Sequence, residues 1–340
     1  MTHINWRDLE RFPTANASWQ LCRPPFRKVH SGKKKIKQSV SNWHIYDPLI
    51  IATPNSTRFL PPVCIAEFED EMLLNLKRKS SLLILSIFFA LALYLAQLTY
   101  LKLPMISNKI VHIFALAIFI SLLDRYLIIN NKTCVIERSL FFHWIFSKTN
   151  NPLKIFILMM VSASTFELVQ IFEVCSFEDF ITRYGVYFPA TKRGQLWRYI
   201  IGPFFHASFQ HWALNFVMGF IAFGLASTIL KNFIILKFFI CLIFSVIAAE
   251  YLTLITPIDG FVGVSGGIFG LFGWMVTHSV TNKNDVPQYF WLSLLCFSLF
   301  NLLISSVSSE KSSLIAHLAG FGLGLLLGLC PNKKRANIKA

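Results

Sequence analysis

The chain has 340 residues, 54% hydrophobic and 14% charged, with 34 Phe, and its mean hydropathy is +0.55. That apolar excess excludes a soluble protein with ordinary surface chemistry and makes a lipid bilayer the natural solvent. The net charge of +15 does not argue for nucleic acid as a partner, because the basic residues follow the topology of a membrane chain.

Residues 1–79 are basic and Pro-punctuated, with Trp6, Trp19 and Trp43, the cluster Lys33-Lys34-Lys35-Ile36-Lys37 and a second cluster Lys77-Arg78-Lys79. They read as a cytosolic tail attracted to anionic lipid headgroups; a small folded cytosolic domain is the other reading. No apolar stretch long enough for a cleaved signal precedes Ser80, so an uncleaved signal anchor is expected there. Runs of about 20 apolar residues then fall near 80–102, 109–130, 153–174, 211–230, 233–255, 263–281, 288–307 and 313–330. Between the second and third, Ser139 to Phe146 is apolar but too short to cross, which predicts an interfacial segment anchored by Trp144. The loop 175–210 mixes aromatic and charged residues and suits the headgroup region.

With the first residues inside and the spans alternating, the inside segments hold 13, 4, 2, 1 and 4 of the 32 Lys and Arg, and the outside loops hold 2, 4 and 1. Both termini are therefore expected in the cytoplasm, and a bacterial cytoplasmic membrane is the expected location. The sequons at Asn16, Asn55 and Asn131 fall on the cytoplasmic side and carry no weight. Seven cysteines, with no Cys-x-x-Cys pair, indicate neither a disulfide framework nor a zinc cage. The expected class is an all-α polytopic membrane protein. It comprises a basic cytosolic region 1–79, two additional N-terminal transmembrane helices with a linker over 80–151, a six-helix core over 152–331 and a basic tail 332–340.

Charged groups inside hydrocarbon cost about 2.5–3.5 kcal/mol on insertion scales, so a buried ionisable or histidine residue is a functional hypothesis by default. The spans 211–230, 263–281 and 313–330 enter from one face by alternation, and near the start of each lie polar residues: His211 and Asn215, Ser265, and His317. His211 and Asn215 share one helical face at i, i+4, either as oxyanion donors or as polar links between helices. Ser265 lies in Gly263-Val-Ser-Gly266-Gly267, followed by Gly270 and Gly273, and Ala316, Gly320, Gly324 and Gly328 form a matching four-residue ladder. Small residues at this spacing let two backbones approach in lipid, close enough for a hydroxyl and an imidazole to meet at about 2.6–3.2 Å.

The Gly-x-Ser-x-Gly match to a nucleophile elbow is set aside, since that turn needs a strand and a soluble α/β sheet. No His-Glu-x-x-His zinc motif is present. Asp124, Arg125, Glu167, Glu250 and His278 read as packing or interfacial groups, with Asp124 and Arg125 partly offsetting each other.

Four motifs together resemble the rhomboid family of intramembrane serine proteases: Trp197-Arg198, His206-x4-His211-x3-Asn215, Gly263-x-Ser265-Gly266, and Ala316-His317-x2-Gly320-x3-Gly324. The resemblance implies a rhomboid-like six-helix bundle with an outward-opening, water-filled cavity that cleaves transmembrane protein substrates within the lipid bilayer, without cofactor or metal. It implies Ser265 as nucleophile, His317 as general base, and His211, Asn215 and the Ser265 N–H as oxyanion donors. Gly263, Gly266, Gly320 and Gly324 would be packing residues, with His206, Trp197 and Arg198 structural. Phe269 stands where many members carry a tyrosine that stacks on the histidine; the ring is kept and the hydroxyl is not. A dyad lacks the acid that sets the imidazole tautomer, so packing must orient His317. The rival readings are a catalytically inactive rhomboid-like protein that binds transmembrane clients, which loss of the serine or histidine would mark, and a channel or transporter lined by His206, His211, Glu250 and His317.

Overall fold

The apolar runs form helices because a chain in lipid must satisfy its backbone hydrogen bonds internally. The computed structural model describes residues 19–23, 30–54, 59–100, 108–146, 151–172, 176–230, 233–252, 259–308 and 314–329. The tail 332–340, Trp6, Asn16, Asn55, Cys175 and Cys330 lie outside these residues, and so does the side chain of Glu167. The chain divides into two compact units, Met1–Thr149 with Lys283–Phe290, and Asn150–Asn282 with Trp291–Ala340.

The first unit contains β1 (Gln20–Cys22), β2 (His30–Ser31), α1 (Lys33–Ser41), β3 (Ile50–Ala52), α2 (Glu69–Tyr100), α3 (Asn108–Asn130) and α4 (Lys132–Phe146). The strands pair antiparallel in the order β2-β1-β3, with Leu21 opposite Ile51. Ile36 and Val40 of α1, Trp43, Ile51, Phe68 and Met72 bury one apolar core. The reading of this region as a solvated tail is therefore corrected: residues 30–54 and 59–76 fold around that core. Lys79 Nζ donates to the carbonyls of Asn42 (3.2 Å) and Trp43 (3.0 Å), tying the end of α1 to α2.

Two other expectations are also corrected here. Asp124 does not offset its neighbour Arg125 but accepts from Arg138 of α4, while Arg125 donates to the Lys77 carbonyl and to Ser81 Oγ. Trp144 is buried beside Phe141, with ring centroids 5.7 Å apart, as a core ring rather than an exposed anchor. The segment 283–290 also belongs to this unit: Gln288 N donates to Glu137 Oε2 at 2.8 Å, and the Phe290 ring lies 5.0 Å from Phe141.

The second unit contains α5 (Asn151–Phe172), α6 (Phe177–Arg183), β4 (Val186–Tyr187), α7 (Phe188–Thr191), α8 (Phe209–Ile229), α9 (Ile234–Tyr251), β5 (Gly260–Phe261), α10 (Ser265–Thr281), α11 (Phe290–Ser308) from Trp291 onward, and α12 (Leu314–Leu329). Among the described residues, a helix forms the greater part of each of the eight expected spans. Among these residues, four helical segments, Glu69–Gln97, Ile110–Asn130, Phe209–Ile229 and Ile234–Tyr251, are long and apolar enough to cross a membrane, and Asn151–Ser164, Phe290–Ser305 and Leu314–Leu329 are shorter apolar segments.

Helix α10 lies at the centre of this unit: of its 17 residues only Ser265, Trp274, Val280 and Thr281 are not buried. Its glycines explain how. A Cβ on Gly320 of α12 would stand 2.0 Å from the Gly266 carbonyl oxygen, and one on Gly324 2.0 Å from that of Gly270. A Cβ on Gly273 would meet the Phe321 carbonyl at 2.2 Å. The other face of α10 rests on α9, where Gly267 admits Phe238 and Gly270 admits Cys241. Thr277 Oγ1 donates to the Leu325 carbonyl at 2.9 Å, a polar link between α10 and α12.

The α10–α12 seam predicts a paired outcome. Gly320→Ala is expected to lower stability by about 1–3 kcal/mol, because backbone cannot rotate out of the way. Gly322→Ala, on the same helix with nothing within 4 Å, should be neutral or slightly stabilising through helix propensity. Equilibrium unfolding in detergent micelles checks both, and equal stabilities for the two variants would count against the packing account.

Candidate active site

The segment leading into α10 is held by paired backbone. β5 lies antiparallel to β4, with Val186 opposite Phe261 and Tyr187 opposite Gly260. The Phe188 N–H donates to the Asp259 carbonyl at 2.9 Å and the Gly263 N–H to the Pro203 carbonyl at 2.9 Å. Gly260 is required here because a Cβ would stand 2.1 Å from the Val186 carbonyl oxygen. Gly263 is required twice over: its φ of +112° is one that residues with a side chain rarely adopt, and a Cβ would lie 2.8 Å from His211 Cε1 and 3.2 Å from Asn215 Nδ2.

The loop that presents β4 is fixed by Arg198. Its guanidinium donates to the carbonyls of Gly185 (2.7 Å), Thr182 (2.9 Å) and Arg183 (3.1 Å). Thr182 and Arg183 end α6, where the last carbonyls lack intrahelical donors, and Gly185 lies two residues beyond. Trp197 lies under the same guanidinium, 4.7 Å from ring centroid to Cζ. Burial and the nearby Arg193 hold the Arg198 pKa below its ordinary value. The buried Glu250 accepts from Thr191 Oγ1 at 2.7 Å and from the Tyr199 hydroxyl, so it anchors this loop to α9.

Ser265 is the first residue of α10 and His317 lies one turn into α12. The close seam between the helices leaves Ser265 Oγ 2.6 Å from His317 Nε2. The Phe269 ring packs against the imidazole at 4.8 Å, tilted by 35°, a contact that needs no tyrosine hydroxyl. His317 is buried and Ser265 is partly exposed to the cavity.

His211 and Asn215 face the same cavity from α8. Ser208 caps this helix, its side chain accepting from the His211 N–H at 3.2 Å, which sets the register of the first turn. The Ala207 N–H donates to His211 Nδ1 at 3.5 Å. A backbone N–H can only donate, so in the neutral ring the proton sits on Nε2, on the side of the ring that faces Gly263. Asn215 is 4% exposed, and its Nδ2 has no hydrogen-bond partner among the described residues. His206 packs edge-on to His211 at 5.3 Å. Burial pushes its pKa down to about 4, which suits a neutral packing group.

The structure thus brings Ser265, His317, His211, Asn215 and Phe269 around one cavity, with Gly263 behind them and Gly266, Gly320 and Gly324 closing the seam. Leu214, Met218, Ile268 and Ile304 give the cavity apolar walls. Among the described residues no three His, Cys, Asp or Glu side chains come together as a metal-ligand set. The sequence reading missed Asn301 and Ser305 of α11, which also line the cavity. Their i, i+4 spacing at the end of the span just before His317 was the available signal.

No curated protein matches the chain in a sequence comparison. Residues 193–333 match the family model described as Rhomboid domain, a span that contains every cavity-lining residue. This segment is therefore a Rhomboid domain, carried by an integral membrane protein.

Proposed function

We propose that the protein is a serine endopeptidase that cleaves transmembrane segments of other membrane proteins through a Ser265–His317 dyad. The observation that carries this reading is the 2.6 Å approach of Ser265 Oγ to His317 Nε2 in a cavity that also holds the unpaired Asn215 donor. Ser265 Oγ attacks the scissile carbonyl carbon as its proton passes to His317 Nε2, and the carbonyl electron pair moves to oxygen. The oxyanion meets the Asn215 Nδ2–H, the His211 Nε2–H and the N–H of Ser265, one of the donors without an intrahelical partner at the start of α10. That helix end carries no side-chain cap; the Gly267 and Ile268 N–H groups donate to the Val264 carbonyl, which leaves the Ser265 end of the helix to meet an anion. His317 then protonates the leaving amine, and water resolves the acyl-enzyme by the same steps in reverse order. With the termini in the cytoplasm, the cavity faces the extracytoplasmic side.

Labelling with a fluorophosphonate tests the assignment directly. The native chain should be labelled, Ser265→Ala should not, and His317→Ala should be labelled far more slowly; equal labelling of all three defeats the reading. An inactive, client-binding protein would leave all three unlabelled.

Asn215→Ala removes one oxyanion donor and should lower kcat about 10²–10³-fold with little change in KM. Cleavage of a transmembrane reporter in liposomes gives both constants. A loss confined to KM would mean that Asn215 only binds substrate.

A helical substrate must unwind before its carbonyl reaches Ser265, so small or helix-destabilising residues near the cut should speed cleavage. Replacing them with Leu in a cleaved reporter is expected to slow turnover, and an unchanged rate would remove this part of the proposal.

A further inference from the structure

Helix α11 reaches the far side of the His317 imidazole. Ser305 Oγ lies 3.3 Å from His317 Nδ1, and the same oxygen donates to the Leu302 carbonyl at 2.9 Å. A serine hydroxyl has one proton. With that proton directed at Leu302, Ser305 can only accept from His317, so Nδ1 carries the ring proton and Nε2 is left with its lone pair facing Ser265.

We infer that Ser305 is the third member of the catalytic relay, a neutral positioning residue that sets the His317 tautomer through the chain Ser265 Oγ–H to Nε2, Nδ1–H to Ser305 Oγ, Ser305 Oγ–H to the Leu302 carbonyl. The inference rests on the proteolytic reading above. It supplies what a bare dyad lacks, since without a partner on Nδ1 the ring can carry its proton on Nε2, where it cannot accept from the serine. Phe269 holds one face of the imidazole, which fixes the ring plane but does not choose between the nitrogens. When the ring takes the serine proton, Ser305 still accepts from Nδ1, so the same contact serves both states of the base. No proton is transferred to Ser305 at any step.

Burial supports an electrostatic role for so modest a contact. His317 is 3% exposed, and in a low-dielectric site a single hydrogen bond acts more strongly than in water. Ser305 belongs to the same helical register as Asn301, which also lines the cavity, so the partner is carried by a regular helix rather than a loop.

The test uses the full chain reconstituted in lipid. Ser305→Ala should slow fluorophosphonate labelling and reporter cleavage by roughly 2- to 10-fold, the range of one net hydrogen bond, through kcat rather than KM, and should displace the midpoint of the pH–rate profile. Ser305→Thr keeps the hydroxyl and should restore both. A Ser305→Ala rate and pH profile equal to those of the native chain overturn the inference, and so does a Thr variant as slow as the Ala variant while equally folded. Should Ser305→Ala fail to fold, nitrogen NMR of the native protein with labelled histidine decides the matter. The signals lost in His317→Gln should report the Nδ1–H tautomer, and an Nε2–H tautomer overturns the inference. Absence of labelling in the native chain would instead remove the proteolytic reading itself, so the two failures are separable.

Discussion

The approach of α10 to α12 is the constraint on which the other features depend. Ser265 and His317 sit on different helices, and helices with ordinary side chains between them pack with axes about 8–10 Å apart. Here each facing glycine leaves room for a carbonyl oxygen where a Cβ would intrude to 2.0 Å, at Gly320 against Gly266 and at Gly324 against Gly270. The contact repeats every four residues and so fixes translation and rotation together. Lipid offers no hydrophobic drive to bring helices together, and close backbone contact with a polar link such as Thr277 to Leu325 takes its place.

A second constraint acts across the cavity. His211 and Asn215 are positioned by the Ser208 cap and by the absence of a side chain at Gly263, whose left-handed φ turns the chain into Ser265. Gly263 in turn hangs from the Pro203 carbonyl, in a loop braced by Arg198 and Glu250. The polar groups outside the cavity thus act on the cavity through backbone position. Trp197, Arg198 and His206 thus lie beside the cavity without lining it.

What was legible in the sequence followed from strong physical rules. Bilayer thickness and the cost of exposed backbone mark the eight helical segments, and glycine at four-residue spacing marks the seam that joins Ser265 to His317. Other features had no such signature. The strands around Leu21 and Ile51 are only 3 residues long, too short for an alternating pattern, so the folded region before α2 was read as a tail. Asp124 and Arg125 are adjacent, and i, i+1 side chains on a helix point apart; the true partner, Arg138, comes from the next helix. A short apolar segment with a tryptophan near its end suits an interface, but Trp144 is buried against Phe141, and burial by neighbours leaves no mark in so short a run.

Ser305 was missed for a different reason: a serine in an apolar helix commonly satisfies itself on a carbonyl one turn back, as Ser298 does on Leu294, and carries no further meaning. A hydroxyl rather than a carboxylate stands behind the His317 ring, and the environment favours that choice. A carboxylate beside a buried imidazole would have to be desolvated in a site walled by Ile268, Ile304 and Phe269, and an unpaired buried charge is costly. A hydroxyl whose proton is already committed to the Leu302 carbonyl presents an oriented lone pair with no net charge. Orientation of the His317 ring is thus obtained from the Phe269 contact and from hydrogen-bond direction, with an uncharged partner.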